Sequence, residues 1–228
     1  MSNYNINKNP KLVQLMIQNE KKDEEEYQKN NPDSTLSLFE NKIKELGYEF
    51  EILDQVKLFL PKHKKHIIPI AMQFYTQTNL ERDKRYFLGL FHYKGFEDCI
   101  PLMLVDMYSA DVSISIKSLI AENLRVIHSS KYIDDYLRIL SMKELGDVRN
   151  PIIVLVGDFK VEQAIPMLIS ALDEEKNITT NALDALGKYK RSELRMYFEK
   201  YLNHKNKYYK REAKKALQKL EEKVSGIS

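Results

Sequence analysis

Ile165-Pro166-Met167-Leu168-Ile169-Ser170-Ala171-Leu172, a polar turn at 173–177, then Ala182-Leu183-Asp184-Ala185-Leu186-Gly187 is the stretch whose reading decides the fold. Proline suits the first position of a helix, where its missing N–H would have no partner in any case. Ile165, Leu168, Ile169 and Leu172 then fall on one helical face. The alanines and the glycine give the second segment a small-residue face, which lets another helix approach closely. Ile-Pro-aliphatic also stands at Ile68-Pro69-Ile70 and at Ile100-Pro101-Leu102. The first two prolines are 32 residues apart and the next gap is 65, close to twice that. A copy that has lost its proline fits the middle of the long gap, at Tyr132-Ile133-Asp134-Asp135-Tyr136-Leu137. The small-residue segment recurs too: Gly157 closes Ile152-Ile153-Val154-Leu155-Val156 30 residues before Gly187, and Ala213-Lys214-Lys215-Ala216-Leu217 follows 31 residues after Ala182. A period in the low thirties predicts stacked helix pairs, none of which buries its apolar face alone.

Outward from this core, five units are expected near 65–98, 99–133, 134–163, 164–193 and 194–222. Two capping helices are expected within 34–62. Ser34 is placed to cap a helix through Leu36, Phe39, Ile43 and Leu46, with Gly47 as its stop. Ile52 to Leu60 again has helical spacing. Residues 1–33 read as a flexible or partly helical arm: Leu12, Leu15 and Met16 make one apolar turn, and the charged run before Pro32 can bury little.

The composition agrees with helices joined by short turns, because seven glycines and seven prolines in 228 residues are few. No segment approaches the roughly 20 apolar residues of a membrane span. The N-terminal residues lack the apolar run of a signal peptide, and the single cysteine, Cys99, suits a reducing compartment. A cytoplasmic location is therefore expected. The net charge of +3 is unevenly spread. From Lys188 to Lys223 there are 13 Lys or Arg against five Glu, a balance of +8, which leaves −5 for the rest. Such a tail fits either nucleic-acid binding or, as the preferred reading, the polar outer face that keeps a terminal repeat soluble.

Gly146-Asp147-Val148-Arg149, leading into Ile152 and Leu155, resembles the Asp-x-Val-Arg start of the second helix in HEAT repeats. Lys44-Glu45-Leu46-Gly47-Tyr48, the first Ile-Pro and Tyr86 to Asp98 are similar to uncharacterised bacterial HEAT-repeat proteins. The resemblance runs from about Leu38 to Leu220 and implies an all-α, right-handed α–α superhelix of about five HEAT-like helix pairs with N-terminal capping helices. It also implies a structural ladder in which Asp and Arg pair between neighbouring units. Thr179 and Lys210 stand where further arginines would fall, so that ladder is expected to be partial.

Enzymes similar to HEAT arrays leave signatures that can be sought. HEAT-type di-iron hydroxylases carry repeated His-Glu pairs, and none of His63, His66, His92, His128 and His204 is followed by Glu. His63 and His66 could share a helix face, but Lys62, Lys64 and Lys65 around them disfavour a cation. No metal and no cofactor is expected. HEAT-like glycosylases of alkylated DNA imply a basic cleft with aromatic side chains. There is no tryptophan, while Arg82, Lys84, Arg85, Lys117 and Arg125 could line a cleft. Bilin lyases built from similar repeats would use a reactive cysteine, and Cys99 before Ile100-Pro101 reads as a buried helix-start residue. No catalytic residues are expected. The leading expectation is a non-enzymatic scaffold that binds a protein partner on a concave face of second helices, in an immunity-type role for example. Arg82, Arg85, Lys117, Asn123, Asn181, Lys210 and Lys214 are the candidate contact residues. The alternative is a DNA-binding or glycosylase-like protein.

Overall fold

A computed structural model describes residues 10–174 and 177–224, so the middle of the expected 173–177 turn and residues 1–9 of the expected arm lie outside the described residues. Every regular element among the described residues is a helix. The chain forms two compact units, one ending at Phe91 and the other starting at His92.

In the first unit the α-helices are α1 (Pro10–Asn30), α2 (Leu36–Glu45), α3 (Leu60–Gln77) and α4 (Glu81–Phe91), with a 3-10 turn at Leu53–Leu58 before α3. Phe39 is fully buried and meets Phe74, Tyr86 and Phe87 edge-on, with ring centroids 5.9, 5.9 and 5.2 Å away. Such pairs add to what area burial alone provides. Gly47 ends α2 with φ 85°, as its position predicts. The cap lies one residue later than expected, at Thr35, although Ser34 Oγ still accepts from the Leu36 N–H at 3.3 Å. The 52–60 segment winds as the tighter 3-10 form and passes straight into α3.

The first Ile-Pro step requires a correction. Pro69 lies inside α3, whose start belongs to Leu60 and Pro61. A proline there removes the hydrogen bond to the carbonyl four residues back and strains the helix. Burial offsets that cost, since Ile67, Ile68 and Ala71 around it are all in the core.

In the second unit the two later Ile-Pro steps do start helices: α5 (Ile100–Tyr108) and α9 (Ile165–Ala171) carry their prolines in the first turn. The proline-less copy starts α7 (Ile133–Ser141), and Arg195 starts α11 (Arg195–Glu199). Each of the four follows a three-residue 3-10 turn, at Glu97–Cys99, Ser130–Tyr132, Glu162–Ala164 and Ser192–Leu194. Each turn follows a residue of positive φ: Gly95 (86°), His128 (59°), Lys160 (51°) and Lys190 (52°). In each case the next helix begins five residues after the left-handed residue.

The second helices of the pairs are α6 (Ile114–Ile127), α8 (Asn150–Asp158), α10 (Asn177–Tyr189) and α12 (Lys207–Val224). They pack in series, α6 on α8, α8 on α10 and α10 on α12, while α5, α7, α9 and α11 each cover their own partner. The small residues explain the close series. A Cβ on Gly157 would come within 2.7 Å of Ala185 Cβ, and one on Gly187 within 2.9 Å of Ala216 Cβ.

Candidate partner-binding surface

The seven expected contact residues divide between the two units. In the first, Arg82 and Arg85 occupy the exposed side of α4. The Arg82 guanidinium lies 4.2 Å from the centre of the Tyr27 ring, and Arg85 Nη2 is 2.6 Å from Glu81 one turn back. Arg82 thus helps hold α1, none of whose residues is buried. Tyr27 Oη donates to Asp83 at 2.9 Å, and Asp83 also accepts from Ser34 Oγ, the Thr35 N–H and Thr78 Oγ1. One buried carboxylate thereby joins α1, the start of α2, the end of α3 and α4.

In the second unit, Lys117 and Asn123 face inward on α6, 9% and 2% exposed. Asn123 Oδ1 is 2.6 Å from His92 Nδ1, and its Nδ2 lies 3.7 Å from Met103 Sδ. Asn181 Nδ2 donates to Asn150 Oδ1 at 2.8 Å, bridging α10 and α8. Lys210 and Lys214 lie about one turn apart on α12, with Lys214 exposed. The fold therefore brings Lys210 and Lys214 together on one helix and places Asn181 on the helix next to it.

Cross-helix bonds continue beside Asn181. Asp158 at the end of α8 lies 3.7 Å from His128 Nε2 and 2.8 Å from Lys188 Nζ. Lys188 also reaches Asp184 at 3.1 Å, and Asp184 lies 3.7 Å from Lys219 of α12. Burial pulls the Lys188 ammonium down, but its hydrogen bonds and charge contacts with the two carboxylates outweigh that, so its pKa ends above the usual value. This polar chain links the end of α6 to α8, α10 and α12 and neutralises itself. The residues were open to sequence reasoning, because His128, Asp158, Lys188 and Lys219 recur at intervals of 30, 30 and 31.

Arg149, 2% exposed, does not meet Asp147: its guanidinium pairs with Glu174 and donates to the Leu140 and Gly146 carbonyls, while Asp147 Oδ1 accepts from Asn150. The resemblance implied Asp–Arg pairs between neighbouring units; here Arg149 does pair with the next unit, but through Glu174 in the turn ahead of α10 and not through an aspartate.

Cys99 is fully buried, and burial together with Asp98 pushes its thiol up to about 12. That is the reverse of nucleophile activation, which needs a lowered thiol pKa. His63 is exposed and sits edge-on to Tyr48 at 5.2 Å. Among the described residues no cluster of three His, Cys, Asp or Glu side chains is placed to hold a metal ion, and no helix is long and apolar enough to cross a membrane. Neither a protein-family model nor a curated protein matches the chain. Its class rests on the architecture alone: all-helical among the described residues, with a second unit that repeats one helix-pair module.

Proposed function

We propose that the chain is a HEAT-like α-solenoid protein that binds a protein partner on the face of its second helices and performs no chemistry itself. The observation that carries this reading is the continuous series of α6, α8, α10 and α12, set close by Gly157 against Ala185 and Gly187 against Ala216. Repeat proteins take up partners on extended faces of stacked helices, and the accessible positions of α10 and the end of α8 are polar, at Asn177, Thr180, Asn181, Asp184, Lys188 and Asp158. The polar chain from His128 to Lys219 holds that surface in a fixed register. A cytoplasmic, immunity-type role, in which the array masks a toxic partner, is the specific form of this proposal.

Affinity co-purification from the native cells, with mass-spectrometric identification, tests the proposal. One stoichiometric protein partner should be retained. A chain recovered alone, as a monomer, under gentle lysis would refute it.

A further inference from the structure

The first three turns of α12 have a charge pattern that its role in packing does not require. Residues 207–215 read Lys-Tyr-Tyr-Lys-Arg-Glu-Ala-Lys-Lys, five cations and one carboxylate. Tyr209, Glu212, Ala213, Ala216, Leu217 and Leu220 are buried. At 100° per residue Lys207, Arg211, Lys214 and Lys215 lie on the other, exposed side of the helix, with half-buried Lys210 at its flank. Glu212, 5% exposed, holds Arg211 Nε at 2.7 Å and Lys215 Nζ at 3.3 Å. Among the described residues no carboxylate stands within ion-pair distance of Lys207, Lys210 or Lys214. Elsewhere in this unit the cations bridging helices are matched, as with Lys131 and Glu97, Lys188 and Asp158, and Arg191 and Glu162.

A solubilising end cap accounts for polarity but not for one sign of charge. The other terminal helix serves as a control: α1 is at least as exposed, and its four lysines are mixed with five acidic residues. Crowding cations on one face destabilises a helix through like-charge repulsion at neighbouring positions. A partner of opposite charge removes that cost and speeds association.

We propose that the exposed side of α12 from Lys207 to Gln218 is the docking surface for an acidic protein segment whose carboxylates meet Lys207, Lys210 and Lys214. The proposal rests on the protein-binding reading above and specifies the partner's chemistry. Two observations favour carboxylates over nucleic acid. Tyr208 is 50% exposed, but Lys207 and Arg211 stand 5.3 and 5.4 Å from its ring centre, so its face is no bare platform for a base. The one arginine of this face, Arg211, already gives its Nε–H to Glu212, and the cations left unmatched are point-like lysines at i, i+3 and i+7 rather than planar forks suited to phosphate. That spacing is the one at which an opposing helix presents carboxylates.

The test measures anisotropy of a labelled Glu/Ala-repeat helical peptide and of a labelled oligothymidylate of about 20 nucleotides, against the full chain at about 50 mM salt. The triple variant Lys207→Glu/Lys210→Glu/Lys214→Glu is compared with Lys62→Glu/Lys64→Glu/Lys65→Glu, which makes the same charge change at exposed positions of α3. Thermal melts confirm that both variants fold. The peptide should bind more tightly than the oligonucleotide, losing about tenfold or more in the α12 variant and under about twofold in the α3 variant. Absence of peptide binding, equal losses in the two variants, or tighter binding of the oligonucleotide would each overturn the proposal. If the peptide fails while co-purification still yields a protein partner, the docking surface is wrong and the protein-binding reading stands. If co-purification also yields nothing, the reading itself falls.

Discussion

Gly157 and Gly187 set the spacing of the second-helix series, since neither has room for a methyl group. In both cases the neighbour is an alanine whose backbone also lies close, so it cannot swing aside. Gly157→Ala and Gly187→Ala should each lower stability by about 1–3 kcal/mol in chemical denaturation, despite the better helix propensity of alanine. Lys160, three residues after Gly157, should respond in the opposite sense. Its φ of 51° is costly for any residue with a Cβ and free for glycine. Lys160→Gly should raise stability by up to about 1 kcal/mol in the same assay, or leave it unchanged. In the first unit, removing Asp83 leaves the Thr35 N–H and several hydroxyls without their shared acceptor. Asp83→Ala should cost about 3 kcal/mol or more, and fluorescence-detected urea melts would reveal it. These residues also mark how far single positions can be read from sequence. Gly157, Gly187 and Ala185 were legible as a recurring small-residue face. The left-handed positions were not, because three of the four are His or Lys and carry no glycine signal. Lys117 and Asn123 read as surface positions but are buried, because periodicity does not separate a buried polar side chain from an exposed one.

Among the elements, α1 has the weakest hold, which makes it sensitive to pH. Its docked face carries Glu24, whose carboxyl is pushed up to about 7 by burial and by the nearby charge of Glu40. Glu20 adds to the rise, while a hydrogen bond at the Leu53 backbone and the Arg82 charge oppose it. The docked helix therefore binds this proton more tightly than a released one, whose Glu titrates near 4.5. Docking is strongest below about pH 4.5 and weakens as pH rises through about 7. Every tenfold gain in proton affinity on docking changes the docking equilibrium by as much, and solvent around this partly exposed group reduces the total. Amide hydrogen exchange of residues 10–30, corrected for intrinsic rates, should show several-fold less protection at about pH 8 than at about pH 6. Glu24→Gln should abolish that difference; equal protection at both pH values in the native chain would contradict the mechanism. The helix itself was only half legible. Leu12, Leu15 and Met16 predicted one turn, but the contacts that extend it to Asn30 are long-range bonds to Asp83, Arg82 and Leu53. For α3, the Ile-Pro spacing misled because Pro61 provides an earlier start, while Pro69 sits on the exposed side of the helix beside buried Ile67, Ile68 and Ala71.

Across the whole molecule, the repeat period was legible because a structural module enforces it. Left-handed residue, 3-10 turn and first helix recur together from Gly95 to Arg195. The candidate surface was legible only where charge alone marks it, at Lys210 and Lys214. The pairing of Asp158 with Lys188 and of Asp184 with Lys219 depends on register between helices far apart in sequence. That register separates the self-neutralised part of the series from the unmatched cations on α12, and so concentrates the expected contact on the second unit. Arg82 and Arg85 already serve α1 and Glu81. The decisive measurement is the fraction of partner retained in co-purification by three proteins: the native chain, the α12 triple lysine-to-glutamate variant, and Arg82→Glu/Arg85→Glu. Retention should be high for the native chain and for the Arg82/Arg85 variant, and should fall about tenfold for the α12 variant. Full retention by the α12 variant, or loss confined to the Arg82/Arg85 variant, would contradict the assignment of the binding surface.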